Sequence, residues 1–407
     1  MRQSPAVQRA RYEREANLAA AQRDMPRFAP TVSLQGAGLL NGPPLTFPRD
    51  AEGESTVVPR SRVRMELTVE TPLFQAGAAS AARRAHAEVT AADLGYEQAL
   101  ADVRRDVKHA YFALLAAEAG LAVAQEGLEQ ARAHRRLVDD LVQAGRAARI
   151  DQLQGDVEVE QAATAAADAG DARDLAAAVL RRLLGQPAHP EAGTRASALA
   201  PPAVAPVGEP GPPPDEARAL AAAERRPDIR ALAAQVEVAQ AGARLARSQA
   251  APAVNLAAGY ALQTPSAFVA RSSWNTALTL VVPLGVGTRA KADAREASAR
   301  AGAALVALEE LRQGAELEVR QALSAIRSAQ RRRESAARTV AAAEEALRIS
   351  ELRFQAGRAT SLEVAAARAS LNRARLDALR ALYDWHTGLA DLEHATGEPS
   401  ATLGSER

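Results

Sequence analysis

The chain has 407 residues, with 50 Lys+Arg against 49 Asp+Glu (net charge +1), aromatics at 3% and no cysteine. The charge balance excludes bulk attraction to nucleic acid, and the missing thiol excludes disulfides, thiol nucleophiles, cysteine-ligated metals and a cysteine-linked lipid. So few aromatics cannot fill the two or three globular cores this length suggests, whereas abundant alanine suits helices packed closely over long distances.

Ser4, as N-cap, with Pro5 in the first turn predicts a helix over residues 4–25. The preceding residues have no apolar stretch, so no signal peptide is expected within the chain as it stands. Val32, Leu34 and Gly36 then alternate with Ser33, Gln35 and Ala37 as a weak strand, followed by a loop with Gly42, Pro43, Pro44, Pro48, Gly53 and Pro59. The cleanest alternation sets Val63, Met65, Leu67 and Val69 against Arg64, Glu66, Thr68 and Glu70, and Thr71–Gly77 ends it. From Ala78 to Val142 the pattern is helical and free of proline; about 65 residues at 1.5 Å each would span about 100 Å. A turn at Gly145 leads to a return helix from about Asp151 to Leu184. No run of about 18 apolar residues occurs, so no transmembrane helix is expected.

Residues 187–214 hold nine of the 22 prolines and read as an extended connector. The second half repeats the order of the first. Helices are predicted from Asp215 to about Glu224 and from Ile229 to Gln249. Val254, Leu256, Ala258, Tyr260 and Leu262 form one alternating set, and after a loop around Pro265, Trp274, Thr276, Leu278, Leu280 and Val282 form another. A helix from about Arg289 to Phe354, a turn at Gly357 and a return helix to about Ala395 complete the copy.

The repeat can be stated by position. Gln143-Ala144-Gly145-Arg146-Ala147 recurs as Gln355-Ala356-Gly357-Arg358-Ala359 (357 − 145 = 212), and the stops at Pro187 and Pro399 keep the same shift. Four segments result: a first repeat over 1–187, the connector over 188–214, a second repeat over 215–399 and a tail over 400–407. Each repeat is helix, two strands, long helix, turn and return helix. Four strands cannot close a barrel in hydrocarbon, since open edges leave backbone groups unpaired; a membrane barrel would have to be shared between copies. The other reading of the same alternation is a pair of soluble hairpins capping a coiled-coil stalk, and for Trp274 and Phe268 interfacial anchoring and ordinary packing stand side by side.

The doubled layout, the Pro72–Gly77 element with its partner Pro283–Gly287, the turns at Gly145 and Gly357, and Arg226-Pro227-Asp228-Ile229 followed by Pro252–Leu256 resemble the TolC-like outer membrane factor family of efflux proteins. The resemblance runs from about Ser4 to Pro399. It implies a mainly α fold with a small β part: a homotrimer whose four strands per protomer build a 12-stranded barrel in outer-membrane lipid, over an α-helical tunnel through the periplasm. The function implied is a passive exit duct served by a periplasmic adaptor and an inner-membrane transporter, with no cofactor. Drug or metal-ion efflux is one outlet, type I secretion another, and a non-membrane periplasmic scaffold is the opposing class. Family members carry a signal peptide ahead of the first helix.

The resemblance also nominates positions. Asp151 and Glu363 (363 − 151 = 212) become pore-constriction candidates, with Ala366 where a second acidic ring would stand. Against that, Thr360-Ser361-Leu362-Glu363 fits a capping box, and Asp151 in a first helical turn suits the helix dipole. Gly145, Arg146, Gly357 and Arg358 become adaptor-contact turns, against a default reading of the glycines as left-handed caps and of the arginines as solvated side chains. Pro72, Gly77, Pro283 and Gly287 mark strand-to-helix junctions. His86, His109, His134, His189, His386 and His394 show no ligand spacing, and no phosphate loop, dinucleotide motif or nucleophile elbow occurs, so neither a metal site nor an enzyme is expected.

Overall fold

The computed structural model describes residues 4–25, 28–49, 53–58, 60–186, 215–248, 251–264, 270–283 and 287–398. The connector, the stops at Pro187 and Pro399, His189, Pro265, Phe268 and the tail lie outside them. Seven helices and six strands are described: α1 (Pro5–Asp24), β1 (Thr31–Leu40), β2 (Leu45–Arg49), β3 (Gly53–Val58), β4 (Ser61–Gln75), α2 (Ala78–Gln143), α3 (Arg149–Leu184), α4 (Glu216–Ala223), α5 (Pro227–Ser248), β5 (Ala253–Gln263), β6 (Ser272–Val281), α6 (Gly287–Gln355) and α7 (Ser361–Thr396). The predicted helices stand within a few residues of these bounds. Proline-free runs rich in alanine, the best helix former, continue until a glycine or a cap stops them.

Two places differ from expectation. The loop after β1 contains an antiparallel hairpin, with Leu45 opposite Val58 and Pro48 opposite Glu54. β4 does not end at Thr71; it continues to Gln75 through a bulge between Pro72 and Phe74. Pro72 has no N–H to give the ladder, and the bulge absorbs the gap.

The chain divides into two compact units, and each repeat contributes to both. The unit of residues 17–91 and 232–307 holds the strands. Its main sheet runs β1-β4-β5-β6, antiparallel throughout, so the two repeats join at the β4–β5 pair.

The unit of residues 1–16, 92–231 and 308–407 is helical. One apolar cluster joins Ala219 and Ala223 of α4, Val319, Leu323 and Ile326 of α6, and Trp385, Leu389 and Leu392 of α7. A second joins Val138 of α2, Leu347 and Phe354 of α6, and Val364 and Leu371 of α7. Arg226 ties the start of α5 to this frame. Its buried guanidinium donates to both Asp228 oxygens (3.0 and 2.7 Å), to Glu318 Oε2 (2.5 Å) and to the Ala395 carbonyl (3.4 Å). A guanidinium fork satisfied on several sides tolerates burial where a lone charge would not.

Candidate functional site

Register sorts the side chains of the sheet. Residues directly opposite one another share a face. One set of rows is Leu34–Leu67–Tyr260–Trp274, Val32–Val69–Ala258–Thr276 and Gly36–Met65–Leu262–Ser272, with Leu256–Leu278 and Val254–Leu280 continuing it. The opposite face carries Ser33–Thr68–Gly259–Asn275, Gln35–Glu66–Ala261–Ser273 and Thr31–Glu70–Ala257–Ala277. The first face is apolar across all four strands and exposed, with Leu34 at 65%, Trp274 at 78% and Leu278 at 69%. A soluble sheet would cover such a face with helices or a second sheet; this one presents it, as a lipid-facing surface does.

The edges are equally informative. β1 (TVSLQGAGLL) and β6 (SSWNTALTLV) contain no charge and no proline. Those are the devices that keep an edge strand from pairing with another chain. The interior strand β4 carries Arg62, Arg64, Glu66, Glu70 and Pro72 instead. Both edges are thus left fit for pairing.

In the helical unit, the two turns share one backbone. Gly145 and Gly357 both have φ 69°, a left-handed conformation that a Cβ disfavours. Gly145 N–H donates to the Val142 carbonyl (3.0 Å) and Arg146 N–H to Leu141 (2.8 Å); Gly357 N–H donates to Phe354 (2.9 Å) and Arg358 N–H to Arg353 (2.8 Å). Both are Schellman caps, in which the glycine lets the chain double back onto the last helical carbonyls. Arg146 and Arg358 are exposed beside them.

Past the turns the copies diverge. Thr360 Oγ1 accepts from Glu363 N–H (3.3 Å) while Glu363 Oε1 accepts from Thr360 N–H (3.4 Å), a complete capping box. Glu363 is also 3.8 Å from Arg353 and its side chain is 48% exposed. In the first copy Ala148 has no side-chain acceptor, so only the reciprocal half exists, Asp151 Oδ2 accepting from Ala148 N–H (3.1 Å).

A family model for outer membrane efflux proteins matches residues 1–186 and 220–398. The chain belongs to that family. Protein CyaE of Bordetella pertussis is 32% identical over 254 residues, which is 59% of this chain and 51% of CyaE; the chain thus spans about half the length of that relative. Among solved structures, the outer-membrane channel OprN has a TM-score of 0.81 at 21% identity, covering 97% of this chain and 87% of OprN. The outer membrane protein VceC of Vibrio cholerae has a TM-score of 0.80 at 19% identity, over 97% and 93% of the two chains. The fold is therefore that of these channels.

This outer membrane efflux family member holds three of its four nominated junction residues outside the strands and buries an arginine that its sequence did not announce. Gly77 directly precedes α2, Gly287 opens α6 and Pro283 follows β6, while Pro72 sits inside β4; residues 284–286 lie outside the described set. Arg368 of α7 is buried at 4% and pairs with Glu158 of α3 and, at 3.5 Å, with Glu351 of α6. Nothing in the local sequence sets it apart from the other arginines. Beside it, His134 is buried against Phe354 and lies 3.4 Å from Ser361 Oγ. Burial, and then the Arg368 charge, lower its pKa to about 4, so the ring is neutral at physiological pH. His109 and His394 pair with Asp391 and Asp102 at 2.7 Å each, and Lys108 pairs with Glu393 alongside them, clasping α2 to α7. One stretch of α2 is apolar enough by length and composition to cross a membrane, contrary to the expectation that no helix would be. Alanine supplies that apolarity, and most of the stretch is not buried within the chain.

Proposed function

We propose that the chain is the outer-membrane channel subunit of an efflux assembly, a passive exit duct for small molecules such as drugs or metal ions. The observation that carries this reading is the sheet: one apolar face, one polar face and two uncharged open edges. Three copies contributing four strands each would make a closed 12-stranded barrel, with the apolar rows in lipid and the polar rows lining water. Closure removes the unpaired edges that hydrocarbon would not tolerate. The chain matches one family model along both repeats, and that family's efflux role favours this reading over type I secretion or a non-membrane scaffold.

In this reading the two repeats, 1–187 and 215–399, supply equivalent hairpins joined by the 188–214 connector. The turns at Gly145–Arg146 and Gly357–Arg358 would meet a periplasmic adaptor that hands cargo from an inner-membrane transporter. Rigid caps with an exposed arginine at the tip suit a docking contact with carbonyls or carboxylates. Glu363, with Asp151 as its counterpart, would narrow the entrance; a ring of carboxylates favours cations, and the Arg353 partner moderates its charge. Pro72, Gly77, Pro283 and Gly287 would convert strand into tunnel helix.

The reading is tested in planar bilayers with protein purified in detergent. Trimers that insert and conduct are the expected result, with Glu363→Ala weakening block by multivalent cations. A detergent-indifferent monomer without conductance would refute the channel; unchanged block in the variant would remove Glu363 from the constriction.

A further inference from the structure

The polar face of β4 is not uniformly polar. Its charged residues fall in chain order as Arg62, Arg64, Glu66 and Glu70, basic toward the β2–β3 hairpin and acidic toward α2. All four share the face of Ser33, Gln35 and Thr68, because alternation and register put Arg62 opposite Leu39, Arg64 opposite Ala37 and Gln263, and Glu66 opposite Gln35 and Ala261. The side chains agree: Arg64 Nη2 lies 2.9 Å from Glu66 Oε2. Asn255 Nδ2 donates to Glu70 Oε1 at 3.3 Å. The two middle charges therefore neutralise one another. What remains is Arg62 at one end and Glu70 at the other, neither with an ion-pair partner among the described residues. β1, β5 and β6 add no charge to this face.

Eight residue-to-residue steps of strand separate the two, about 26 Å at 3.3 Å each. That exceeds the Debye length of about 8 Å at physiological ionic strength, so an ion in the lumen meets the two charges one after the other rather than as a cancelled pair. We propose that Arg62 and Glu70 make the barrel lumen electrically polar, with a basic band at the hairpin end and an acidic band at the helix end. The channel then rectifies, and the two bands set its ion preference independently of the entrance. The proposal rests on the reading of the sheet as part of a closed, water-filled barrel. The ligands it concerns are small inorganic ions and charged solutes in transit, attracted by one band and repelled by the other.

The test is the current–voltage relation of single channels in planar bilayers under symmetric and graded potassium chloride. Glu70→Gln is expected to lower the cation-to-anion permeability ratio about twofold and Arg62→Gln to raise it about twofold, the scale of one screened charge near an ion in water. Both positions are on the exposed strand surface or partly so, where neutral amides fit the same space. The decisive variant is the exchange Arg62→Glu with Glu70→Arg, which leaves net charge and composition unchanged. It is expected to change the sign of that part of the rectification that the two neutral variants remove. Channels that conduct normally with the same current–voltage curve in all variants would overturn the polar lumen and leave the channel intact. A protein that forms no channels in any variant, wild type included, would overturn both.

Discussion

The two hairpins share a backbone and differ in where they keep their arginine. Asp139 and Glu351 occupy equivalent positions (351 − 139 = 212), and each is bound by one. In the first hairpin that arginine is Arg135 on the outgoing helix, which also holds Asp156 of α3 at 2.6 Å. In the second, the position of Arg135 is taken by Leu347, buried in the apolar cluster, and the arginine has moved to the return helix as Arg368. The move changes what it can reach. Arg135 keeps its bonds within its own hairpin, while Arg368 crosses to Glu158 of the first. The two turns thus share one conformation, and a few differing charges let one hairpin anchor the other.

The largest effect should come from the anchor. Arg368→Ala would leave Glu158 without its buried partner, and removing one member of such a pair costs about 3–5 kcal/mol. Arg135→Ala removes pairs whose carboxylates are 33% and 53% exposed, worth about 1 kcal/mol or less. Thermal denaturation in detergent should rank the two variants accordingly; equal losses would erase the distinction between the hairpins. Replacing both Arg368 and Glu158 by Met and Leu should restore most of the stability, because the burial penalty disappears with the pair.

A second contrast is pH-dependent, since His134 has Ala346 as its counterpart (346 − 134 = 212). Its folded pKa of about 4 lies below the ordinary 6.5, so protonation favours the unfolded chain. Stability should be level above about pH 6.5 and fall as the pH drops toward 4. His386, similarly lowered to about 4 by burial, acts in the same direction. His134→Gln should therefore flatten the fall without abolishing it, and a midpoint-against-pH curve unchanged by the substitution would contradict the assignment.

Smaller effects concern the turns. Gly145→Ala and Gly357→Ala should each cost about 1–2 kcal/mol, and equally, because both adopt φ 69° with open space where a Cβ would go. The caps should differ by less: Thr360→Ala costs about 1 kcal/mol, and Ala148→Thr regains a similar amount in the first copy. The backbones at Ala148 (φ −88°, ψ 156°) and Thr360 (φ −91°, ψ 157°) are nearly identical, so the threonine should cap in either place. Unequal glycine losses, or no gain from Ala148→Thr, would show that the turns differ in more than their caps.

Much of this was legible in the residues because local physics decided it. Glycine at a left-handed position, a Thr-x-x-Glu cap and long runs without proline fix where helices begin and end, and period two in β4 fixes which side chains share a face. The β2–β3 hairpin was hidden by Pro43, Pro44, Pro48 and Pro59, which read as loop although an edge strand tolerates proline where no ladder bond is needed. Arg368 was hidden for another reason. Its partners lie 210 residues upstream on α3 (368 − 158) and 17 upstream on α6 (368 − 351), and no local pattern tells a clasped arginine from a solvated one. The same holds for the sheet order, where β4 and β5 meet across the whole connector.

In a shared barrel, β1 and β6, left open in one chain, pair with the edges of neighbouring copies. The native chain has no cysteine, so introduced pairs report without background. A cysteine at Gln35 in β1, combined in turn with one at Ser273, Asn275 or Ala277 in β6, can be oxidised in membranes and resolved on denaturing gels. Within one sheet these edges are three strand spacings apart, about 14 Å, too far for a disulfide. At least one pair is expected to yield covalently closed trimers. If every pair stays monomeric under oxidation while the protein is folded in the membrane, the strands are not completed by other copies and the shared barrel is wrong.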